Sequence, residues 1–184
     1  MEEKISSSLV FSGRVISLQI DEVRLPSGRL VQRETIIHPG AVAIAAVDGD
    51  QILLEKQYRH TSGEVMWEIP AGTIEKGESP EDCARRELAE ETGYSADKME
   101  LAFSFYVAPG YSTEVIYLFM AEGLSKSSKR LEEDEEIDAV FVPLSKAVNM
   151  VEENEIRDAK TAIGVLLIER SRSGGLSGES YGGR

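Results

Sequence analysis

The chain has 184 residues, an ordinary apolar content of 41%, and 33 acidic against 20 basic side chains, for a formal net charge of -13. That length bounds it to one domain with at most a small extension, and the acidic balance excludes a general nucleic-acid binder, which needs a basic footprint. A single cysteine, Cys83, excludes an intrachain disulfide and any multi-cysteine zinc site.

In chain order, Leu9–Phe11, Val15–Leu25 and Arg29–Ile37 read as extended segments separated by Ser12-Gly13 and Pro26-Ser27-Gly28, both turn signals. They predict an antiparallel meander over residues 1–38. The first residues lack the apolar core of a signal peptide, and no apolar run approaches membrane-spanning length, so the expectation is a soluble cytoplasmic protein without a membrane partner. His38-Pro39-Gly40 breaks the pattern before strands at Ala41–Val47 and Gln51–Tyr58, joined by the hairpin signal Asp48-Gly49-Asp50.

Ser79 is a natural N-cap, Pro80 suits the first helical position, Glu81 and Asp82 suit the positive helix end, and Gly93 supplies the stop. These signals predict a helix of roughly 13 residues between two loops. Strands follow at Met99–Val107 and Val115–Ala121, then the acidic run Glu132-Glu133-Asp134-Glu135-Glu136, then a strand at Ala139–Val142. Helices at Ser145–Glu153 and Asp158–Arg170 close the domain, the second with an apolar stripe through Ile163, Leu166 and Leu167. A main domain over 39–172 and a Gly/Ser-rich flexible tail over 173–184 complete the expected organisation. Strands interleaved with helices in this way predict an α/β (α+β) fold with a mixed sheet packed between helices.

The chemistry concentrates in the predicted helix between Ser79 and Gly93. Glu87, Glu90 and Glu91 fall at i, i+3 and i+4, one face of a helix. Carboxylates so placed repel one another unless water or a cation lies between them, and hard oxygen ligands suit Mg²⁺ or Mn²⁺. A solvated acidic face is the plain reading of most such clusters. The flanking residues argue against it. Gly72, Glu78, Arg86, Glu87, Leu88, Glu90, Glu91, Gly93 and Tyr94 fill, in register, the pattern G-x5-E-x7-R-E-U-x-E-E-x-G-U, where U is bulky and apolar. Seven fixed residue types at set spacing recur by chance at roughly one position in 10⁸.

In these residues the chain resembles the Nudix hydrolases, which split a nucleoside diphosphate linked to another group. The resemblance implies an α/β/α sandwich and Mg²⁺ as cofactor, with Mn²⁺ able to replace it. It implies metal ligands at the Ala71 carbonyl, Glu87, Glu90 and Glu91, with Arg86 orienting a box glutamate and Glu78 tying the loop to the helix. Tyr106-Val107-Ala108-Pro109-Gly110-Tyr111-Ser112-Thr113-Glu114 is similar to the proline element of the ADP-ribose pyrophosphatase subgroup, with Ala108 in place of a common serine. Glu55-Lys56-Gln57-Tyr58-Arg59 resembles that subgroup's Q-Y-R element, and Trp67-Glu68-Ile69-Pro70-Ala71-Gly72 its lead into the box.

By that similarity Arg59 meets a substrate phosphate, for which a guanidinium fork is suited. Arg33 and Glu34 meet the adenine, across a dimer interface in relatives, and Pro109 marks the substrate loop. A general base comes from Glu133, Glu135 or Glu136. The implied activity is hydrolysis of ADP-ribose to AMP and ribose 5-phosphate by a homodimer held through the N-terminal meander. Two alternatives stay open here: another nucleoside diphosphate sugar such as GDP-mannose, and a non-catalytic sensor of ADP-ribose.

Overall fold

Alternation of small and branched apolar residues in Ala41–Asp48 decides the architecture. Along this strand Ala43, Ala45 and Val47 enter one apolar cluster while Val42, Ile44 and Ala46 enter another, so both faces are buried. The computed structural model describes residues 1–127 and 137–174.

An N-terminal three-stranded antiparallel sheet comprises β1 (Glu3–Ser12), β2 (Ser17–Arg24) and β3 (Leu30–Ile37), in that order. Gly28, at φ +84, closes the second hairpin through its N–H to the Leu25 carbonyl at 2.8 Å. The first strand is much longer than the Leu9–Phe11 expected. Its Lys4-Ile5-Ser6-Ser7-Ser8 portion has little apolar alternation, and pairing supplies the order instead: Glu3 lies opposite Arg24, and Lys4 reaches the buried Asp21 at 3.1 Å.

The main sheet contains β4 (Ala41–Asp48), β5 (Gln51–Arg59), β6 (Glu64–Glu68), β7 (Ala71–Thr73), β8 (Tyr94–Tyr106), β9 (Val115–Lys126) and β10 (Asp138–Pro143). Its central order is β10-β5-β4-β9-β8, with β4 and β9 parallel and the other pairs antiparallel. Beyond the Val47–Ile52 and Asp48–Gln51 pairs, β4 and β5 splay apart. The fork is filled by β6 on β5 and β7 on β4, with Ile44 N–H donating to the Pro70 carbonyl at 2.8 Å. Strand β6, Glu64-Val65-Met66-Trp67-Glu68, carries an acid at each end, which hides it as a strand in the sequence.

On one face lies α1 (Pro80–Glu87), extended by a π-helical turn at Leu88–Thr92, with Cys83, Ala84 and Leu88 in the core. Ser79 caps α1 by accepting from Asp82 N–H, and Gly93 ends it at φ +74, as the capping residues predict. The other face carries α2 (Leu144–Glu152) and α3 (Ala159–Arg172). The result is the expected mixed sheet between helices, an α/β/α sandwich. One expectation needs correction in part: Ile163 and Leu167 pack against the core, but Leu166 is exposed, and the fully buried residues of α3 are Thr161, Gly164, Val165 and Ile168. Small residues bring the helix close to the sheet, where a Cβ on Gly164 would meet Ile69 Cδ1 at 3.1 Å.

Of the expected tail, residues 175–184 lie outside the described residues. Among the described residues no helix is long and apolar enough to cross a membrane.

Thr161 joins the two layers: its buried hydroxyl accepts from Ile69 N–H at 2.9 Å and donates to Asp158 at 2.6 Å. Thr161→Val keeps the shape but strands a buried donor, and a loss of about 2 kcal/mol is expected. Urea unfolding checks this: the midpoint falls while the slope is unchanged.

Candidate active site

The glutamates are organised by Arg86. Its Nε and Nη2 donate to Glu78 at 2.8 and 3.0 Å, and its Nη1 donates to Glu87 at 2.8 Å and Glu90 at 3.1 Å. Glu78 also accepts from Glu75 N–H at 3.0 Å, which ties the loop before the helix to the helix itself. The Arg86 hydrogen bond, aided by that amide, holds the Glu78 carboxyl at about 2, and the Arg86 guanidinium is pushed above its ordinary value. Glu87 packs directly on Gly72: a Cβ there would lie 1.9 Å from Glu87 Oε1, so only glycine leaves room for the carboxylate.

The π-helical turn changes the expected three-acid face. Glu91 turns inward, 4% exposed, and accepts from Ala71 N–H at 3.0 Å, whereas Glu90 stays at the surface beside Arg86. Among the described residues no three Asp, Glu, His or Cys side chains converge closely enough to hold a cation between them. The donor set nevertheless fits a hard divalent cation. Glu78, Glu87 and Glu90 share one guanidinium, buried Glu91 lies one turn from Glu87, and the Gly72 cradle keeps Glu87 beside Ala71.

Two clefts meet at this point. The larger, of about 1050 Å³, lies between the box and the β1–β2 turn and is lined by Arg14, Lys76, Arg59, Gly72 and Glu87 among others. The smaller, of about 520 Å³, shares Arg59, Ala71, Gly72 and Thr73 and extends to Tyr106, Glu114 and Lys160. Arg59 thus borders both. Its Nε and Nη2 grip Glu68 at 2.7 and 2.8 Å, and Lys160 grips Glu68 from the other side while holding Asp158 at 3.0 Å. Burial would raise the Glu68 carboxyl, but Arg59 and Lys160 outweigh it and hold it at about 2.

The other expected residues are more dispersed. Arg33 and Glu34 lie on β3 and line neither cleft; Arg33 pairs with Glu2 at 2.6 Å. Pro109 is exposed in a loop that docks on β3, through Ile36 N–H to the Tyr111 carbonyl at 2.7 Å and Thr113 N–H to the Ile36 carbonyl at 2.9 Å. Glu133, Glu135 and Glu136 lie outside the described residues. Cys83 is buried, and burial pushes its thiol up to about 12, so it is no nucleophile at neutral pH. Arg14, Glu68 and Lys160 were not singled out from sequence. For Glu68 a signal existed, an acid between Trp67 and Ile69 in an otherwise apolar stretch.

Because Glu78 titrates near 2 when folded and near 4.5 otherwise, its contribution is full above pH 4.5 and is lost as pH falls towards 2. Glu78→Gln is expected to lower the melting temperature at pH 7 and to flatten its decline across that window. Thermal melts of both proteins from pH 7 to pH 2 check this.

Comparison with known proteins agrees with this architecture. The model of the NUDIX domain matches residues 37–164. The ADP-ribose pyrophosphatase of Bacillus subtilis (strain 168) is 44% identical over 173 residues, covering 92% of this chain and 94% of the relative. The methanol dehydrogenase activator of Bacillus methanolicus is 43% identical over 171 residues, covering 91% and 92%. Among solved structures, an ADP compounds hydrolase superposes with a TM-score of 0.84 at 22% identity, covering 95% of this chain and 97% of that one, a likeness of fold. With the box complete and its glutamates gathered around Arg86 and Gly72, the chain belongs to the Nudix family.

Proposed function

We propose that this Nudix hydrolase cleaves the diphosphate of ADP-ribose with water, giving AMP and ribose 5-phosphate, with Mg²⁺ as cofactor. The observation that carries the reading is the meeting of Glu87, Gly72 and Arg59 in one cleft. Glu87, Glu90, Glu91 and the Ala71 carbonyl would hold the cation, which shields the diphosphate oxygens and acidifies a bound water. Mn²⁺ has the same preference for oxygen ligands.

Arg59 offers the N–H groups not committed to Glu68 to the diphosphate. Arg86 binds no substrate; it sets the directions of Glu87 and Glu90. One of Glu133, Glu135 and Glu136 takes the proton from the attacking water, which makes the water oxygen nucleophilic as the P–O bond to the leaving phosphate breaks. Arg33 and Glu34 would meet the adenine, with the Pro109 loop against β3 shaping that side.

A homodimer fits this assignment, because Arg33 and Glu34 line neither cleft of their own protomer. Strand β1 supports it: all its residues are exposed, Leu9, Val10 and Phe11 among them. An edge of that kind is ordinarily covered. A division into residues 1–38 for dimerisation, 39–172 for catalysis and a terminal tail follows from the same reading. A nucleotide substrate and one unpaired thiol favour a cytoplasmic setting.

Glu91→Gln is expected to lower turnover by roughly a hundredfold or more at saturating Mg²⁺ while leaving the protein folded. Product analysis with ADP-ribose, GDP-mannose and NADH, each with Mg²⁺ and with chelator, checks both this and the substrate. Retained activity in Glu91→Gln would remove the metal assignment, and binding of ADP-ribose without product would make the protein a sensor. Sedimentation is expected to give a dimer for the wild type and a monomer for Phe11→Asp.

A further inference from the structure

Glu68 is a carboxylate 3% exposed, and burying such a charge costs several kcal/mol unless it is well paired. Its partners come from two elements: Arg59 from β5, through Nε and Nη2, and Lys160 from the first turn of α3. A closed ring continues from there. Lys160 holds Asp158, Asp158 accepts from the Thr161 hydroxyl, and that hydroxyl accepts from the N–H of Ile69, the neighbour of Glu68. The ring fixes both the backbone and the carboxylate of this position.

Buried ion pairs contribute little net stability compared with apolar side chains of similar volume, so stability alone is a weak reason for this arrangement. Its geometric effect is specific. With Nε and Nη2 held by Glu68, the Arg59 guanidinium is fixed in direction, and Nη1, without a partner among the described residues, is its uncommitted edge; Arg59 itself lines both clefts.

We propose that Glu68, set by this ring, is a positioning residue that aims the free edge of Arg59 at the substrate diphosphate; the proposal rests on the reading that Arg59 meets that group. Charge and orientation predict opposite outcomes here. Removing the Glu68 charge makes the site more positive, which by Coulomb attraction alone would tighten an anionic substrate. Loss of orientation weakens it.

The test is steady-state kinetics with ADP-ribose for the wild type, Glu68→Gln, Glu68→Asp, Arg59→Ala and the Glu68→Gln/Arg59→Ala double variant. Aspartate keeps the charge but is too short to keep both bonds. KM is expected to rise about tenfold in both Glu68 variants, with no further rise when Glu68→Gln is added to Arg59→Ala. A purely structural role would lower kcat through loss of active protein at constant KM. An unchanged or lower KM in Glu68→Gln, wild-type behaviour of Glu68→Asp, or additive effects in the double variant would overturn the proposal.

A wild type that leaves ADP-ribose intact would instead overturn the function proposed above. The positioning claim is then decided by the ¹⁵N relaxation of Arg59 Nε–H. It is expected to be rigid in the wild type and averaged in Glu68→Gln. An averaged signal in the wild type would overturn it even if neither Glu68 variant folds.

Discussion

A guanidinium is planar and carries five N–H donors in a fixed fork, so a residue that binds it at several edges is placed in direction as well as distance. Arg86 uses this property on three acids at once. Glu78 belongs to the loop, Glu87 to the last turn of α1, and Glu90 to the π-helical turn beyond it. Without the shared cation these carboxylates would repel one another and the loop would lose its tie to the helix. Gly72 completes the constraint from the sheet side, since its missing Cβ is the space that Glu87 fills.

The sheet contributes by coming apart. The β4–β5 hairpin pairs only at its closed end, and the chain segment that fills the opening carries Glu68 on one limb and Gly72 on the other. A continuous β4–β5 ladder would leave no backbone for the box to rest on. The fork therefore puts Glu68, which holds Arg59, and Gly72, against which Glu87 packs, on neighbouring limbs, four residues apart in sequence.

Much of this was legible in the amino-acid order because it depends on local rules. Ser79, Pro80 and Gly93 mark the helix by hydrogen-bonding and backbone preferences that act within a few residues, and the box residues keep fixed spacings. Strand β4 itself followed from the apolar run between Gly40 and Asp48. What stayed hidden depends on partners distant in the chain. The early part of β1 is ordered by pairing with β2 rather than by its own serines. On α3 the close fit of Gly164 to Ile69 keeps Ile163 and Leu167 against the core but leaves Leu166, the third residue of the expected stripe, exposed. Glu68 and Lys160 are 92 residues apart, and only folding makes them neighbours.

Strand β4 sits in the middle of the sheet and is covered on both sides by apolar clusters. Segments of that kind exchange their amide hydrogens only when the whole molecule opens, whereas loops and edges open alone at much lower free energy. The short β7 strand, which carries Ala71 and Gly72, is hydrogen-bonded to β4 itself. The site is thus moored to the part of the protein that opens last, and local breathing at the surface can admit or release a ligand without loosening the Gly72 cradle.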